Sequence, residues 1–260
     1  MSSFAAGWRI QRRVIGALMI RELVTRFGRE NIGFLWMMVE PLLFAGLVGI
    51  LWRYMKGPEM HGVSVVAFVA SGYIPLTLFR NSVSRAIRVF SVNSSLMYHR
   101  QIKVLDFILV RFLIEMIGAM MAFLFIGVLL IFLGLAPIPT NIGALLAGWF
   151  FFCLFTFSLC LVLAPLSELS DAFEKLAPIT TYVVIPFSGV FNMTSWLAPK
   201  AQSVMYYSPF VHGMELMRYG IFGDRVDAQW DLLVPFVGSM GFLLIGLALC
   251  RRIRRHLVVE

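Results

Sequence analysis

Residues 21–41, RELVTRFGRENIGFLWMMVEP, decide where this chain lives. Arg21, Arg26 and Arg29 precede an apolar run that begins at Gly33, and Trp36 stands at the junction. Positive charge followed by an aromatic anchor is the pattern of a helix entering a bilayer from its cytoplasmic face. Glu40-Pro41 then falls inside the apolar run. A charged carboxylate at the bilayer centre costs about 2.5–3.5 kcal/mol on insertion scales, so Glu40 is expected to face protein or water.

The whole composition agrees. Sixty per cent of the 260 residues are hydrophobic, 14% are charged and the mean hydropathy is +0.85, whereas soluble domains carry about 25% charged residues. The chain is therefore read as one membrane bundle. Its net charge of +8 reflects positive-inside topology and anionic lipid rather than nucleic acid. Residues 1–6 lack the basic start of a cleavable leader, and none is expected. Cys153, Cys160 and Cys250 lie in apolar runs. The first two are about 10.5 Å apart along a helix axis, too far for a disulfide, so all three read as packing residues.

Six apolar segments can be marked, at 33–52, 63–79, 105–133, 142–166, 176–191 and 232–250; a helix needs about 20 residues to cross about 30 Å of hydrocarbon. With the N-terminus inside, sixteen of the 22 basic residues fall on the cytoplasmic side and five outside (Arg53, Lys56, Lys200, Arg218, Arg225). Both termini are accordingly cytoplasmic and the number of spans even. Residues 14–20 are apolar but too short to span, which suits an interfacial helix. The expected architecture is all-α and polytopic: six transmembrane helices, an N-terminal interfacial helix and a re-entrant hairpin before the last helix. The chain divides into a cytoplasmic interfacial part at 1–31, a membrane bundle at 32–250 and a basic tail at 251–260.

Two stretches are neither spans nor ordinary loops. Residues 80–103, on the cytoplasmic side, set Leu96, Met97 and Tyr98 among Arg80, Arg85, Arg88, Arg100 and Lys103. Topology accounts for the arginines. It does not account for apolar groups beside them, which suit a short helix docking a partner protein. Arg85 and Arg88 could share a helical face, and Asn93-Ser94-Ser95 could end one helix and cap another. Residues 186–231 lie outside and are too apolar for a solvated loop. Prolines 186, 199 and 209 cut this stretch into two re-entrant half-helices, at 195–206 and 209–219.

Arg21, Arg26, Phe27, Gly33, Trp36 and Pro41 match the opening pattern of ABC-2-type exporter permeases, particularly the capsular polysaccharide export inner-membrane proteins. Ile32 stands for the usual Leu, and Glu30 replaces a small Ser. The blocks SGYIPLTLFR, NSSL, IKVLDFILVRFLIE, PFSGVF and YSPFVHGMELMRYGIF resemble the same family, in the same order. The resemblance implies a permease subunit that exports capsular polysaccharide, lipid-linked, across the bacterial inner membrane. It further implies a homodimer served by a pair of separate ATPase subunits, which carry ATP and Mg. Periplasmic and outer-membrane export proteins and a glycolipid substrate complete the expected partners.

Within that frame Arg85, Arg88, Ser94, Ser95, Tyr98, His99 and Arg100 are the expected ATPase-coupling residues, and Arg21, Arg26 and Phe27 belong to the interfacial helix. Trp36, Glu40, Tyr73, Trp196 and Tyr207 are candidates for the translocation pathway, since amphipathic rings suit sugars; interfacial belts use the same residues. No nucleotide-binding G-x-x-x-x-G-K-[ST] or hydrolase motif occurs, and the four histidines are scattered, so no cofactor, metal or catalytic residue is expected. Arg111 is expected to pair with Asp106 and Glu115 along its own helix. Alternatives are an exporter of O-antigen or teichoic-acid-like polymer, an ion-coupled secondary transporter, and an intramembrane enzyme built on Glu40 and Glu115. A secondary transporter would show matched broken helices in both halves, and the sequence shows only one such element.

Overall fold

The computed structural model describes residues 3–28, 33–97 and 102–257, with side chains for all of these but 3, 4, 33–38, 95 and 254–257. Helix α1 (Ser3–Phe27) leads into α2 (Gly33–Lys56), and a two-residue-per-strand hairpin, Glu59–Met60 against Val63–Ser64, turns the chain into α3 (Val65–Ala86). His61 and Gly62 both have positive φ (51° and 78°), which a tight antiparallel turn demands. A single turn, α4 (Val89–Val92), and a 3-10 turn (Ser94–Leu96) precede α5 (Val104–Phe132), α6 (Ile142–Leu169) and α7 (Asp171–Val184). The C-terminal part holds α8 (Pro199–Met205), α9 (Pro209–Phe222) and α10 (Leu233–Leu257).

The five long apolar helices fall where the hydropathy places them. Among the described residues, α5, α6 and the first 21 residues of α10 are long and apolar enough to cross a membrane. Helices α2 and α3, with 24 and 22 residues, would extend about 36 and 33 Å. Helix α7 has only 14 residues before a 3-10 turn at Ile185–Phe187. At about 1.5 Å per residue it falls short of a full crossing, because Pro186 ends the regular helix. Helix α10 runs on through Arg251 and Arg252, so the basic tail begins as a continuation of the last helix.

The expected pair of half-helices is partly corrected. A helix, α9, occupies the place of the second and is three residues longer than anticipated. The first is broken into a 3-10 turn at Thr194–Trp196 and the seven-residue α8. Pro199 is the reason: the residue before a proline is driven out of helical geometry, and Ala198 is extended (φ −64°, ψ 149°).

Helices α3 and α9 form the buried centre, with nearly every residue of α9 from Phe210 to Phe222 shielded. Small residues let α6 lie directly on α9. A Cβ on Gly148 would fall 2.5 Å from Met217 N, and one on Gly220 would fall 2.5 Å from Leu145 N. Close backbone approach through small residues is how helices associate where lipid removes the hydrophobic drive. The cysteines are buried and unpaired, as packing residues should be.

Candidate functional site

The end of α3 and the stretch that follows it are tied down at four points. Glu115, on α5, is 2% exposed and receives Arg26 from α1 and Arg85 from the last turn of α3, each with a nitrogen 2.5 Å from Oε1. Arg26 makes a hydrogen bond; Arg85 Nε is close but misaligned, so its contact is coulombic. Arg111 donates through Nη1 to the Arg85 carbonyl (2.6 Å) and lies 3.4 Å from Glu22 of α1. Arg21 Nη1 donates to Asn93 Oδ1 (3.0 Å), and Asn93 Nδ2 returns to Val89 O (2.8 Å). Arg88 pairs with Glu174 of α7 at the surface.

This corrects the pairing expected within α5. Arg111 does not take Glu115 or Asp106; Gln11 of α1 and the Lys103 amide hold Asp106. Helix α1 offers its own acid and base one turn apart. Glu22 therefore meets Arg111, and Arg26 meets Glu115, so two i, i+4 pairs exchange partners across the helix contact.

The shared basic face on Arg85 and Arg88 is also absent. Ile87 is extended and Arg88 has φ 62°, so the helix breaks between them and the two side chains part. Arg85 turns inward to Glu115 and Arg88 outward to Glu174. Asn93 ends α4 and opens the 3-10 turn without capping either through its side chain, because that side chain serves Val89 and Arg21. Leu96 and Met97 are half-buried against the core, while Val92 and Ser94 are exposed. The Ser95 side chain, Tyr98, His99 and Arg100 lie outside the described residues. Phe27 carries the Arg26 guanidinium over its ring at 4.8 Å.

The candidate pathway residues are dispersed. Pro41 is buried and Glu40 exposed. Tyr73, on α3, stacks on Phe44 of α2 (4.0 Å, 12°) and lies within electrostatic reach of Glu40 and Arg80; the Arg80 guanidinium in turn sits over Tyr182. Trp196 stacks on His61 (4.4 Å) and packs on Phe68 (4.8 Å). Tyr207, on the α8–α9 turn, is exposed. The Trp36 side chain lies outside the described residues. Glu40 and Tyr73 thus lie within electrostatic reach of one another across the α2–α3 contact, with Trp196 and Tyr207 elsewhere.

Sequence reasoning missed the polar centre of α9. Arg218, counted there only among the basic residues on the outer side, is wholly buried. Its Nη1 donates to Gly189 O (2.6 Å) and Asn192 O (3.3 Å), Nη2 donates to Val190 O, and Nε reaches Ser71 Oγ (3.4 Å). The guanidinium also covers the Phe68 ring at 3.8 Å. One turn earlier, Glu215 accepts from Thr194 N (2.6 Å) and Gln229 N (2.8 Å). His212 accepts from Asp231 N through Nδ1 (2.9 Å), so its proton sits on Nε2, which donates to Tyr206 O (2.7 Å). Helix α9 is a polar spine that fastens the 189–194 and 226–231 segments by their backbones. The signal was available as H-x-x-E-x-x-R, spaced to one face of an otherwise apolar helix. Among the described residues no three His, Cys, Asp or Glu converge as a metal site requires.

A family model for ABC-2 type transporters matches residues 13–222, from within α1 to the end of α9. The chain belongs to the ABC-2 type transporter family. This family member is 36% identical over 250 residues to the capsule polysaccharide export inner-membrane protein BexB of Haemophilus influenzae, covering 96% of this chain and 94% of the relative. It is 38% identical over 248 residues to the capsule polysaccharide export inner-membrane protein CtrC of Neisseria meningitidis serogroup B, covering 95% and 94%. It is also 25% identical over 250 residues to the polysialic acid transport protein KpsM of Escherichia coli, covering 95% of each.

Proposed function

We propose that this chain is the membrane-spanning permease subunit of an ATP-driven exporter that moves capsular polysaccharide, lipid-linked, across the bacterial inner membrane. The near-full-length similarity to capsule export inner-membrane proteins carries this reading. In it the chain crosses the membrane six times with both termini cytoplasmic, the fifth crossing made by α7 together with the 3-10 turn and the segment to residue 191; α1 lies along the inner surface within 1–31, residues 32–250 form the bundle, and 251–260 rest on anionic headgroups. Helices α8 and α9 form the re-entrant hairpin before the last span. The permease works as a homodimer with a pair of ATPase subunits that bind ATP and Mg, and hands its cargo to periplasmic and outer-membrane export proteins.

The ion-pair cluster suggests how force travels. Nucleotide binding closes the ATPase pair against residues 85–100 and α1. Because Glu115 receives Arg26 and Arg85, and Arg111 reaches both the Arg85 carbonyl and Glu22, a push on either element moves α1, α3 and α5 together. Rigid-body movement of this kind opens a path at the dimer seam, where the exposed Glu40 would meet the polymer and Tyr73 behind it would reach the polymer as α2 and α3 part. The deciding experiment is reconstitution with its partner ATPase in vesicles. ATP hydrolysis that requires this chain and rises with capsular glycolipid is the expected result; hydrolysis indifferent to this chain would overturn the reading.

A further inference from the structure

A cavity of about 480 Å³ opens between α8, α9 and the segment leading to α10. It falls within the roughly 300–1,000 Å³ typical of small-molecule sites. Thr194, Gln202, Tyr206, His212, Gln229 and Trp230 line it. None of these residues belongs to the coupling segment or to the candidate pathway residues described above, and Tyr206 uses its backbone and hydroxyl to frame the opening.

The walls are fixed from one helix. Glu215 holds the amides of Thr194 and Gln229, one on each side of the cavity. His212 joins the Tyr206 carbonyl to the Asp231 amide across the mouth, and Asp231 accepts from the Tyr206 hydroxyl at 2.8 Å. Such a frame needs no rearrangement to receive a ligand, which spares the cost of ordering it. The lining chemistry is mixed. Trp230 packs one side on Tyr219 (centroids 4.7 Å apart) and stays 37% exposed, leaving an amphipathic ring surface. The side-chain amide of Gln229, unlike its backbone N–H, makes no hydrogen bond among the described residues, and Gln202 is anchored through Nε2 to Leu197 O at 2.9 Å. Amides and a hydroxyl beside an indole can satisfy the ring oxygens and the apolar face of a pyranose together. Glu215 and Asp231 stand behind and beside the cavity, and no Lys or Arg lines it among the described residues. An anionic sugar would meet carboxylates without a compensating cation.

We infer that this cavity is a binding site for a neutral saccharide ring, a hexose or N-acetylhexosamine. The inference rests on the exporter reading for its biological meaning, but the site is testable without transport. The experiment is saturation-transfer NMR on the full chain in lipid nanodiscs, without nucleotide, using lactose, N,N′-diacetylchitobiose and N-acetylneuraminic acid as probes. Transfer to a neutral probe, reduced at least fivefold by Gln229→Ala and by Trp230→Ala and retained by Trp230→Phe, is expected. Gln229→Ala keeps the backbone amide that Glu215 holds, so it tests the site even where Trp230→Ala disturbs the fold. No transfer to either neutral probe, equal transfer in both alanine variants, or stronger transfer to the anionic probe would overturn the inference. A neutral hexasaccharide that competes more tightly than its disaccharide marks a polymer as the source, and equal competition marks a free sugar; both support the site. A failed binding result leaves ATPase-driven export untouched, and failed export leaves the binding result standing.

Discussion

Arg85 Nε, in the last turn of α3, lies 2.5 Å from Glu115 Oε1 on α5. The same oxygen takes Arg26 from α1, so one buried carboxylate joins three helices. Breaking a buried ion pair by removing one partner typically costs about 3–5 kcal/mol, and the partly exposed Arg85 takes the low share of that. Glu115→Leu should therefore lower the unfolding temperature of the purified chain clearly, and Arg85→Met much less. A double-mutant cycle on Arg26→Met and Glu115→Leu should return a coupling of about 1–3 kcal/mol. A coupling near zero would show that α1 is not held here.

Reversing charge at Arg88 and Arg100 should abolish export while the protein still inserts. Arg88 pairs with Glu174 at the exposed surface, and such a pair is worth about 0–1 kcal/mol. The fold therefore survives the change, and loss of ATPase association in a pull-down reports docking rather than unfolding. Normal association in Arg88→Glu/Arg100→Glu would remove this segment from the docking surface.

Gly72 tests the α9 spine. A Cβ there would fall 2.5 Å from Val190 O and 2.6 Å from Arg218 Nη2. Arg218 cannot retreat without abandoning the 189–192 carbonyls, so Gly72→Ala should destabilise by about 1–3 kcal/mol, the usual cost of overpacking. Thermal unfolding measured by loss of monodisperse protein checks this, and Gly46→Ala, with nothing within 4 Å of its Cβ position, serves as the control.

What the sequence revealed and what it hid divide along physical lines. Helices α5 and α6 were legible within about three residues at each end, since long apolar runs bounded by Asn141 and Lys103 admit one period. The ends of α7 and α8 depended on how Pro186 and Pro199 redirect the chain, which hydropathy does not register. Ion partners were hidden because proximity along one helix was the only visible guide. Arg111 and Glu115 satisfy the i, i+4 rule, yet the partners that prevail come from Glu22 and Arg26, far away in sequence. The partners of Arg218 were hidden for the converse reason: they are backbone carbonyls, so H-x-x-E-x-x-R could mark a polar helix face but not what that face holds.

Topology follows from single cysteines. Cys153, Cys160 and Cys250 are buried, so background labelling should be low. Cysteines at Gly57 and Lys200 should react in intact cells with an impermeant thiol reagent, whereas one at Ser94 should react only after permeabilisation. Labelling at Ser94 in intact cells would reverse the six-span arrangement.

Glu40 is an exposed carboxylate within the apolar helix α2. Its side chain is exposed in the protomer while Pro41 beside it is buried, so what covers Glu40 is water, lipid or a second copy. Within the protomer its electrostatic influence reaches Tyr73, at the α2–α3 contact behind the proposed path. A pathway carboxylate accepts hydrogen bonds from sugar hydroxyls, and Gln keeps an acceptor where Leu offers none. Glu40→Gln should thus retain most of the export, and Glu40→Leu should lose it at unchanged membrane abundance, measured as surface capsule against immunoblotted permease. Leu also removes the insertion cost of about 2.5–3.5 kcal/mol, so a purely structural effect would favour Leu over the native residue. Normal export by Glu40→Leu would show that Glu40 neither meets the polymer nor holds the bundle, and that its carboxylate merely reaches toward the headgroups from a lipid-facing position.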